Sequence, residues 1–135
     1  MPNTSGQYIV AGPTKTCRID TDLDGAEGTL VNLDGTDDGV VNAAANATAG
    51  PLLVLVEGAD GSSTETVGTV ALPGAVVKVS AGGAITAGDR VTSNASAVGI
   101  ATTTANDHYA GIAWENAASG DDFLMVVAPG MVAAS

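Results

Sequence analysis

Eighteen glycines, spread among short apolar runs, constrain this chain of 135 residues more than any other feature. Glycine costs a helix interior about 0.8–1.0 kcal/mol relative to alanine. No window sustains apolar residues at the i, i+3, i+4 and i+7 spacing of an amphipathic helix. The apolar runs alternate instead with turn-forming pairs such as Asp34-Gly35 and Pro73-Gly74. This pattern predicts an all-β fold, a small barrel or sandwich of short strands with long loops.

Nine runs have the length and the side chains expected of strands. Their predicted bounds are 8–11, 29–32, 52–57, 67–72, 76–80, 90–93, 99–103, 109–115 and 123–128. The Ala-rich segment 40–49 is a predicted short helix that ends at Gly50-Pro51. Residues 1–16 hold little apolar bulk and two prolines. We therefore predict an extended N-terminal arm at 1–16, followed by a single β domain at 17–135.

The charge balance limits the classes of partner. Fifteen acidic and four basic side chains give a net charge of −11, which repels nucleic-acid phosphates and anionic lipids. Neither nucleic acid nor membrane is therefore an expected partner. The longest apolar run, residues 52–56, is far shorter than the roughly 20 residues that a membrane span requires. The single cysteine, Cys17, is expected to be a small buried hydrophobe.

The C-terminal strands predict contact with other subunits. Side chains alternate along a strand, so Phe123 and Met125 share one face while Leu124 shares the other with further apolar residues. Both faces are apolar, and each must be covered by another layer of this chain or by a second subunit. The apolar content is mainly Ala and Val, whose burial removes little area from water. The predicted subunit-interface residues are Ile112, Trp114, Phe123 and Met125.

Three aspartates are candidate metal ligands. Asp20, Asp22 and Asp24 form the D-x-D-x-D-G opening of a calcium loop, where alternate carboxylates converge on the cation. Such a loop needs a bidentate Glu at its twelfth position, and Val31 stands there. The segment is therefore a candidate for an irregular cation site or, alternatively, an exposed acidic turn. We expect no bound cofactor.

The sequence offers no set of residues for catalysis. It has no G-x-S-x-G elbow, no phosphate-binding G-x-x-x-x-G-K-[ST] loop and no zinc-spaced His or Cys cluster. His108 follows Asp107, but adjacent side chains on a strand point to opposite faces. General acid–base catalysis needs positioned groups in a cleft, so we expect no enzymatic activity.

Internal repetition is not established by the sequence. No fixed period is evident. The segments NATAGP at 46–51 and AITAGD at 84–89 share an Ala/Thr-Ala-Gly turn. Two short turn matches do not demonstrate a duplication.

Residues 75–130 carry a family resemblance. The order AITAGDRV, VGIAT and YAGIAWENAASGDDFLMVVAPG resembles the C-terminal signature of phage capsid cement proteins, in which ITAGD-x-V precedes a G-I/V-A-x-x-x-A-x-x-GD element and a final apolar strand. The resemblance implies a capsid decoration subunit that binds the outer surface of the major capsid protein and stabilises the expanded shell. It also implies a homotrimer on the virion exterior, present in the host cytoplasm during assembly.

The predicted arm offers a way to bind such a shell. An extended segment can add a strand to an exposed sheet edge and gain main-chain hydrogen bonds there. Its predicted capsid-binding residues are Gln7, Tyr8, Ile9 and Val10. An alternative function, from a different class, is a calcium-dependent β-rich binding or adhesion module built around Asp20, Asp22 and Asp24.

Overall fold

Strands and turns make up the part of the chain that the structure describes. A computed structural model covers residues 9–46 and 50–133, with side chains from residue 11 onward. Its eleven strands are β1 (Ile9–Ala11), β2 (Thr14–Ile19), β3 (Leu30–Leu33), β4 (Val41–Ala43), β5 (Leu53–Glu57), β6 (Thr66–Ala71), β7 (Val76–Ser80), β8 (Arg90–Ser93), β9 (Gly99–Ala101), β10 (His108–Ala113) and β11 (Asp122–Met131). The all-β prediction is confirmed.

The strands form two antiparallel sheets that pack as a sandwich. The six-stranded sheet has the order β1-β7-β11-β10-β8-β9, and the five-stranded sheet has the order β2-β6-β5-β3-β4. Every pairing between named strands is antiparallel. Neither sheet closes into a barrel, so the sandwich is the correct one of the two predicted architectures.

The main core lies between the sheets. Phe123 and Met125 of the six-stranded sheet and Leu30 and Val54 of the five-stranded sheet are fully buried there. Burial of one such side chain contributes roughly 1.5–3 kcal/mol. A second core lies on the opposite face of the five-stranded sheet, where Leu23 of the 20–28 loop packs against the strands. The five-stranded sheet is therefore apolar on both faces.

Both sheets contain the same five-strand pattern. We call residues 14–71 the first unit and residues 76–131 the second unit. The first unit has the order β2-β6-β5-β3-β4, and the second has β7-β11-β10-β8-β9. In each unit the first strand therefore lies beside the fifth, followed by the fourth, the second and the third. The short strand β1 extends the second unit at its edge.

The turns of the two units also correspond. Gly28 and Gly88 both have a positive φ in the turn before the second strand. The Gly28 amide donates a 2.8 Å hydrogen bond to the carbonyl of Leu55, and the Gly88 amide donates an equal one to the carbonyl of Ala113. Residues 86–89 thus correspond to 26–29, and the short match of 84–89 with 46–51 does not join equivalent positions. The duplication that the sequence did not establish is present in the structure.

Each unit curls about its own concave face. Isolated parallel bridges draw the first strand toward the third, through Arg18 and Val40 in the first unit and through Ala81 and Gly99 in the second. The strand registers make Leu55 equivalent to Ala113. On the concave face of the first unit, Leu55 belongs to the same core as Leu23 of the 20–28 loop. The concave face of the second unit, which includes Phe123 and Met125, packs against the convex face of the first unit.

Three sequence predictions differ from the structure. The strands β2 and β4 were not predicted. The described part of the predicted helix contains β4 instead, because pairing with β3 outweighs the modest helix propensity of the Ala-rich segment. Of the predicted arm, residues 9–11 pair with β7 and residues 14–16 pair with β6, so these parts lie within the sandwich.

One turn of the first unit predicts a dependence of stability on pH. Asp34 Oδ1 accepts 2.8 Å hydrogen bonds from the amide and hydroxyl of Thr36, and Asp34 Oδ2 accepts one from Asn42. These bonds, that from the Thr36 amide first, lower the pKa of Asp34. A lowered carboxyl pKa stabilises the fold above the unfolded value of about 3.9 and loses this effect as the pH falls through the folded pKa.

We therefore expect Asp34→Asn to lower the melting temperature slightly at pH 7, where the ionised carboxylate stabilises the fold, and to reduce its decline below about pH 4. The second unit supports this substitution, because Asn94 stands at the equivalent position and its Oδ1 accepts a 2.8 Å hydrogen bond from the Ser96 amide. Melting curves of wild type and variant at pH 7 and pH 3 measure the effect. An equal decline in both proteins would contradict the role of Asp34.

Candidate docking surfaces

The outer face of the six-stranded sheet carries a group of apolar side chains that is partly uncovered. Ile112, Val126 and Val76 lie in one cross-strand row and are half-buried. Trp114, just beyond β10, is 68% exposed. A contiguous apolar patch that carries an exposed tryptophan is typical of a protein–protein contact. We call the face formed by Val76, Ile112, Trp114, Leu124 and Val126 the Trp114 face.

The structure separates the four predicted interface residues. Ile112 and Trp114 belong to the Trp114 face, whereas Phe123 and Met125 are 0% exposed and lie in the main core. Alternation along β11 points Phe123 and Met125 toward the five-stranded sheet. These two side chains therefore have no surface to offer a second subunit, and their part in the predicted interface is corrected to packing within the chain.

A second apolar surface lies at one end of the curled five-stranded sheet. Here an open cavity of about 240 Å³, which we call the mouth, is lined by the strand ends. Its lining residues are Lys15, Thr16, Cys17, Leu33, Gly39, Val41, Leu53, Val70 and Leu72. Leu33 is 61% exposed at the rim, and a smaller pocket extends from it toward Gly50 and Pro51.

Sequence reasoning did not find the mouth. Its residues come from five strands that are distant in sequence, and two of those strands were not predicted. Cys17, by contrast, is buried as expected, and this burial raises the pKa of its thiol. A buried thiol with a raised pKa is a packing group rather than a nucleophile at neutral pH.

Arg18 connects two acidic loops beside the mouth, one containing Asp37 and Asp38 and the other containing Glu65. Its Nε and Nη2 donate hydrogen bonds of 2.8 and 2.9 Å to the two carboxylate oxygens of Glu65. Its Nη1 donates to Asp37 Oδ1 at 3.2 Å and to the carbonyl of Asp38 at 2.6 Å. The bond to Glu65 is the main cause that raises the pKa of Arg18. Arg18 is exposed to solvent, so these ion pairs contribute little to the stability of the fold. Their main effect is to orient the loop that contains Asp37 and Asp38.

The basic residues differ in their partners. Lys78 is 4% exposed, and its Nζ lies 3.8 Å from Asp122 Oδ2. The guanidinium of Arg90 lies 5.6 Å from the ring centroid of Tyr109, at the margin of the Trp114 face. Lys15 lines the mouth, and no carboxylate in the described residues forms an ion pair with it. The mouth therefore combines an apolar lining with one positive charge.

The three candidate metal ligands are not brought together. The Oδ1 atom of Asp22 accepts a 3.1 Å hydrogen bond from the amide of Asp24, which is the geometry of an acidic turn. Glu27, the acidic residue that follows them in the sequence, accepts a 3.0 Å hydrogen bond from the Gly58 amide. Within residues 9–46 and 50–133, no three acidic, His or Cys side chains are arranged to hold a metal ion.

The predicted capsid-binding residues are only partly described. Gln7 and Tyr8 lie outside the described residues. Ile9 and Val10 lie in β1, the edge strand that pairs with β7 through Ile9 and Val77. An edge strand leaves one row of backbone groups for an added strand. In the same described ranges, no helix combines the length and apolarity needed to cross a membrane.

Comparisons with known proteins give one family match and one structural similarity. The profile of a family described as phage cement protein matches residues 26–128, which span most of both units. A solved structure, the N base of head fiber gp8.5 in bacteriophage phi29, is similar with a TM-score of 0.65 and 22% sequence identity, over 86% of this chain and 93% of that chain. At this identity the likeness shows a shared fold. No curated protein matches the chain.

Proposed function

The chain belongs to the phage cement protein family and is a phage virion structural protein, and from this premise we propose that it binds the outer surface of the major capsid protein and stabilises the expanded shell. The family match across both units carries this proposal. The Trp114 face and the mouth supply apolar surface for docking. Bridging between neighbouring capsomers needs such surfaces and no chemistry.

Mass action explains how docking would stabilise a shell. A subunit that binds only the expanded shell stabilises that state by RT ln(1 + [L]/Kd), about 2.7 kcal/mol per site when its concentration is 100 times Kd. The net charge of −11 repels DNA. This charge suits the exterior of the capsid, to which the protein would come from the host cytoplasm during assembly.

Self-association is the second part of the proposal. We propose a homotrimer in which Ile112 and Trp114 lie at the contact between subunits. The exposed indole supports this placement, because tryptophan is enriched among the residues that dominate interface energies.

The arm provides the third part. We propose that Gln7, Tyr8, Ile9 and Val10 contact the shell by strand addition. The position of β1 at the edge of the six-stranded sheet supports this, since a strand of the shell protein could pair along its outer side. No observation in the described residues favours the calcium-dependent module or an enzymatic activity.

Co-sedimentation with shells tests the proposed function. We expect the protein to bind saturably to expanded shells of its own phage, to bind unexpanded shells more weakly, and to raise the temperature at which expanded shells disrupt. A variant that lacks residues 2–8 retains β1 and should bind more weakly, with an unchanged melting temperature of its own. Absence of binding to expanded shells would contradict the proposal.

A further inference from the structure

The contact between the two units shows what the concave face of a unit can bind. Val54 of β5 and Ala71 of β6, on the convex face of the first unit, pack in the main core with Val77, Met125 and Val127 of the second unit. All five side chains are at most 1% exposed. The concave face of the second unit is thus a docking site that the same chain already occupies.

The first unit has the same site, but its mouth is open. The strand registers make Lys15, Val70 and Leu72 of the mouth equivalent to Val77, Met125 and Val127 of the second unit. No described segment of the chain covers the mouth, and Leu33 on its rim is 61% exposed. The mouth is therefore the unoccupied counterpart of an apolar contact that already exists within the chain.

The surface equivalent to the occupant of that contact is also uncovered. By the same registers, Val54 is equivalent to Ile112 and Ala71 to Val126. Val56, which packs in the main core, is equivalent to Trp114. Ile112 and Val126 are half-buried and Trp114 is 68% exposed, so the convex face of the second unit, the Trp114 face, lacks a counterpart in the described chain.

We infer that the mouth of one subunit binds the Trp114 face of a second copy, which repeats between chains the contact that joins the two units within a chain. This inference rests on the self-association in the proposed function and names the opposing surface. The contact is head-to-tail, because two different surfaces meet, and this arrangement closes into a ring in a cyclic trimer. Lys15 lines the mouth, whereas both Arg90 and Glu115 lie beside the Trp114 face, so the apolar side chains carry the contact.

A mixing experiment with two variants tests the inference. Leu33→Lys alters the mouth and Trp114→Lys alters the opposing face, and both side chains are exposed enough for the fold to tolerate the change. Every contact between two copies of the same variant therefore contains one altered surface. We expect each to show self-association weakened at least about 30-fold, the effect of one hot-spot residue. Val67→Lys, at another site that is also 61% exposed, is the matched control and should associate as wild type does.

The mixture separates head-to-tail association from other arrangements. The Trp114→Lys chain keeps an intact mouth and the Leu33→Lys chain keeps an intact Trp114 face, so an equimolar mixture should form 1:1 heterodimers in analytical ultracentrifugation. Unchanged self-association of Leu33→Lys, a mixture that stays monomeric, or a monomeric wild type would each overturn the inference. Shell binding by these variants is measured separately, so failure of the proposed capsid function is distinguishable from failure of this contact.

Discussion

Phe123→Ala is expected to lower the free energy of unfolding by about 3–5 kcal/mol, the cost of removing a large side chain from a packed core. Phe123 is 0% exposed in the main core, and its Cζ lies 3.3 Å from the position a Cβ would take at Gly99. Domains of this size are stable by about 5–15 kcal/mol, so the variant would lose a large share of its stability.

Urea unfolding of monomeric protein at several concentrations measures this effect. The loss should be independent of protein concentration, because Phe123 packs within one chain. Trp114→Ala is the matched control: its side chain is 68% exposed, so it should leave the unfolding of the monomer nearly unchanged. If Phe123→Ala lowered the free energy of unfolding only at concentrations at which subunits associate, Phe123 would belong to the subunit interface.

Gly111→Ala is expected to destabilise the protein by about 3 kcal/mol or more, at the upper end of the range for overpacking. A Cβ at Gly111 would collide with the carbonyl oxygen of Val126 and would lie 3.0 Å from Met125 Cε. The carbonyl belongs to the paired strand β11, so relief requires the two strands to separate. The hydrogen bonds between β10 and β11 would weaken as a result.

Gly35→Ala provides the comparison for Gly111→Ala. Nothing lies within 4 Å of a Cβ at Gly35, and its backbone is outside the left-handed region. Thermal unfolding of the two variants should therefore differ by many degrees, with Gly35→Ala close to wild type. Similar melting temperatures for both variants would show that the close approach of β10 and β11 at Gly111 does not limit the fold.

Phe123→Ala and Gly111→Ala test folding within one chain, and other substitutions test association between chains. Phe123 and Gly111 act within one chain, whereas Trp114 and Leu33 are the exposed residues on which association between chains is proposed to depend. A loss of self-association after Trp114→Lys, with normal unfolding of the monomer, would therefore report on the contact between chains alone.

The sequence predicted only part of the candidate site. Alternation along β10 and β11 correctly indicated two apolar faces, and Trp114 is exposed on one of them. The same pattern could not show which face of β11 the five-stranded sheet covers, so Phe123 and Met125 were assigned to the wrong environment. Alternation specifies that two faces exist, but the layer that covers each face is a long-range property.

The mouth and the duplication were hidden for a related reason. Gly28 and Gly88 make the same turn and the same backbone hydrogen bond, yet the residues around them differ, since a backbone bond places little demand on the side chains beside it. Asp34 and Asn94 likewise accept equivalent hydrogen bonds with different side chains. Correspondence of this kind becomes visible only when strand registers are known.

By itself, the sequence determined nine of the eleven described strands, their turns and the exclusion of a helical fold, because glycine, β-branched residues and turn-forming pairs act over a few neighbouring positions. It also carried the family resemblance over residues 75–130, and the match of the family model to residues 26–128 confirms this resemblance. Only the tertiary structure decided that two similar units stack convex face into concave face. The reason is that the layer which covers a sheet face is set by contacts between residues far apart in sequence, such as those that place Val54 and Met125 in one core.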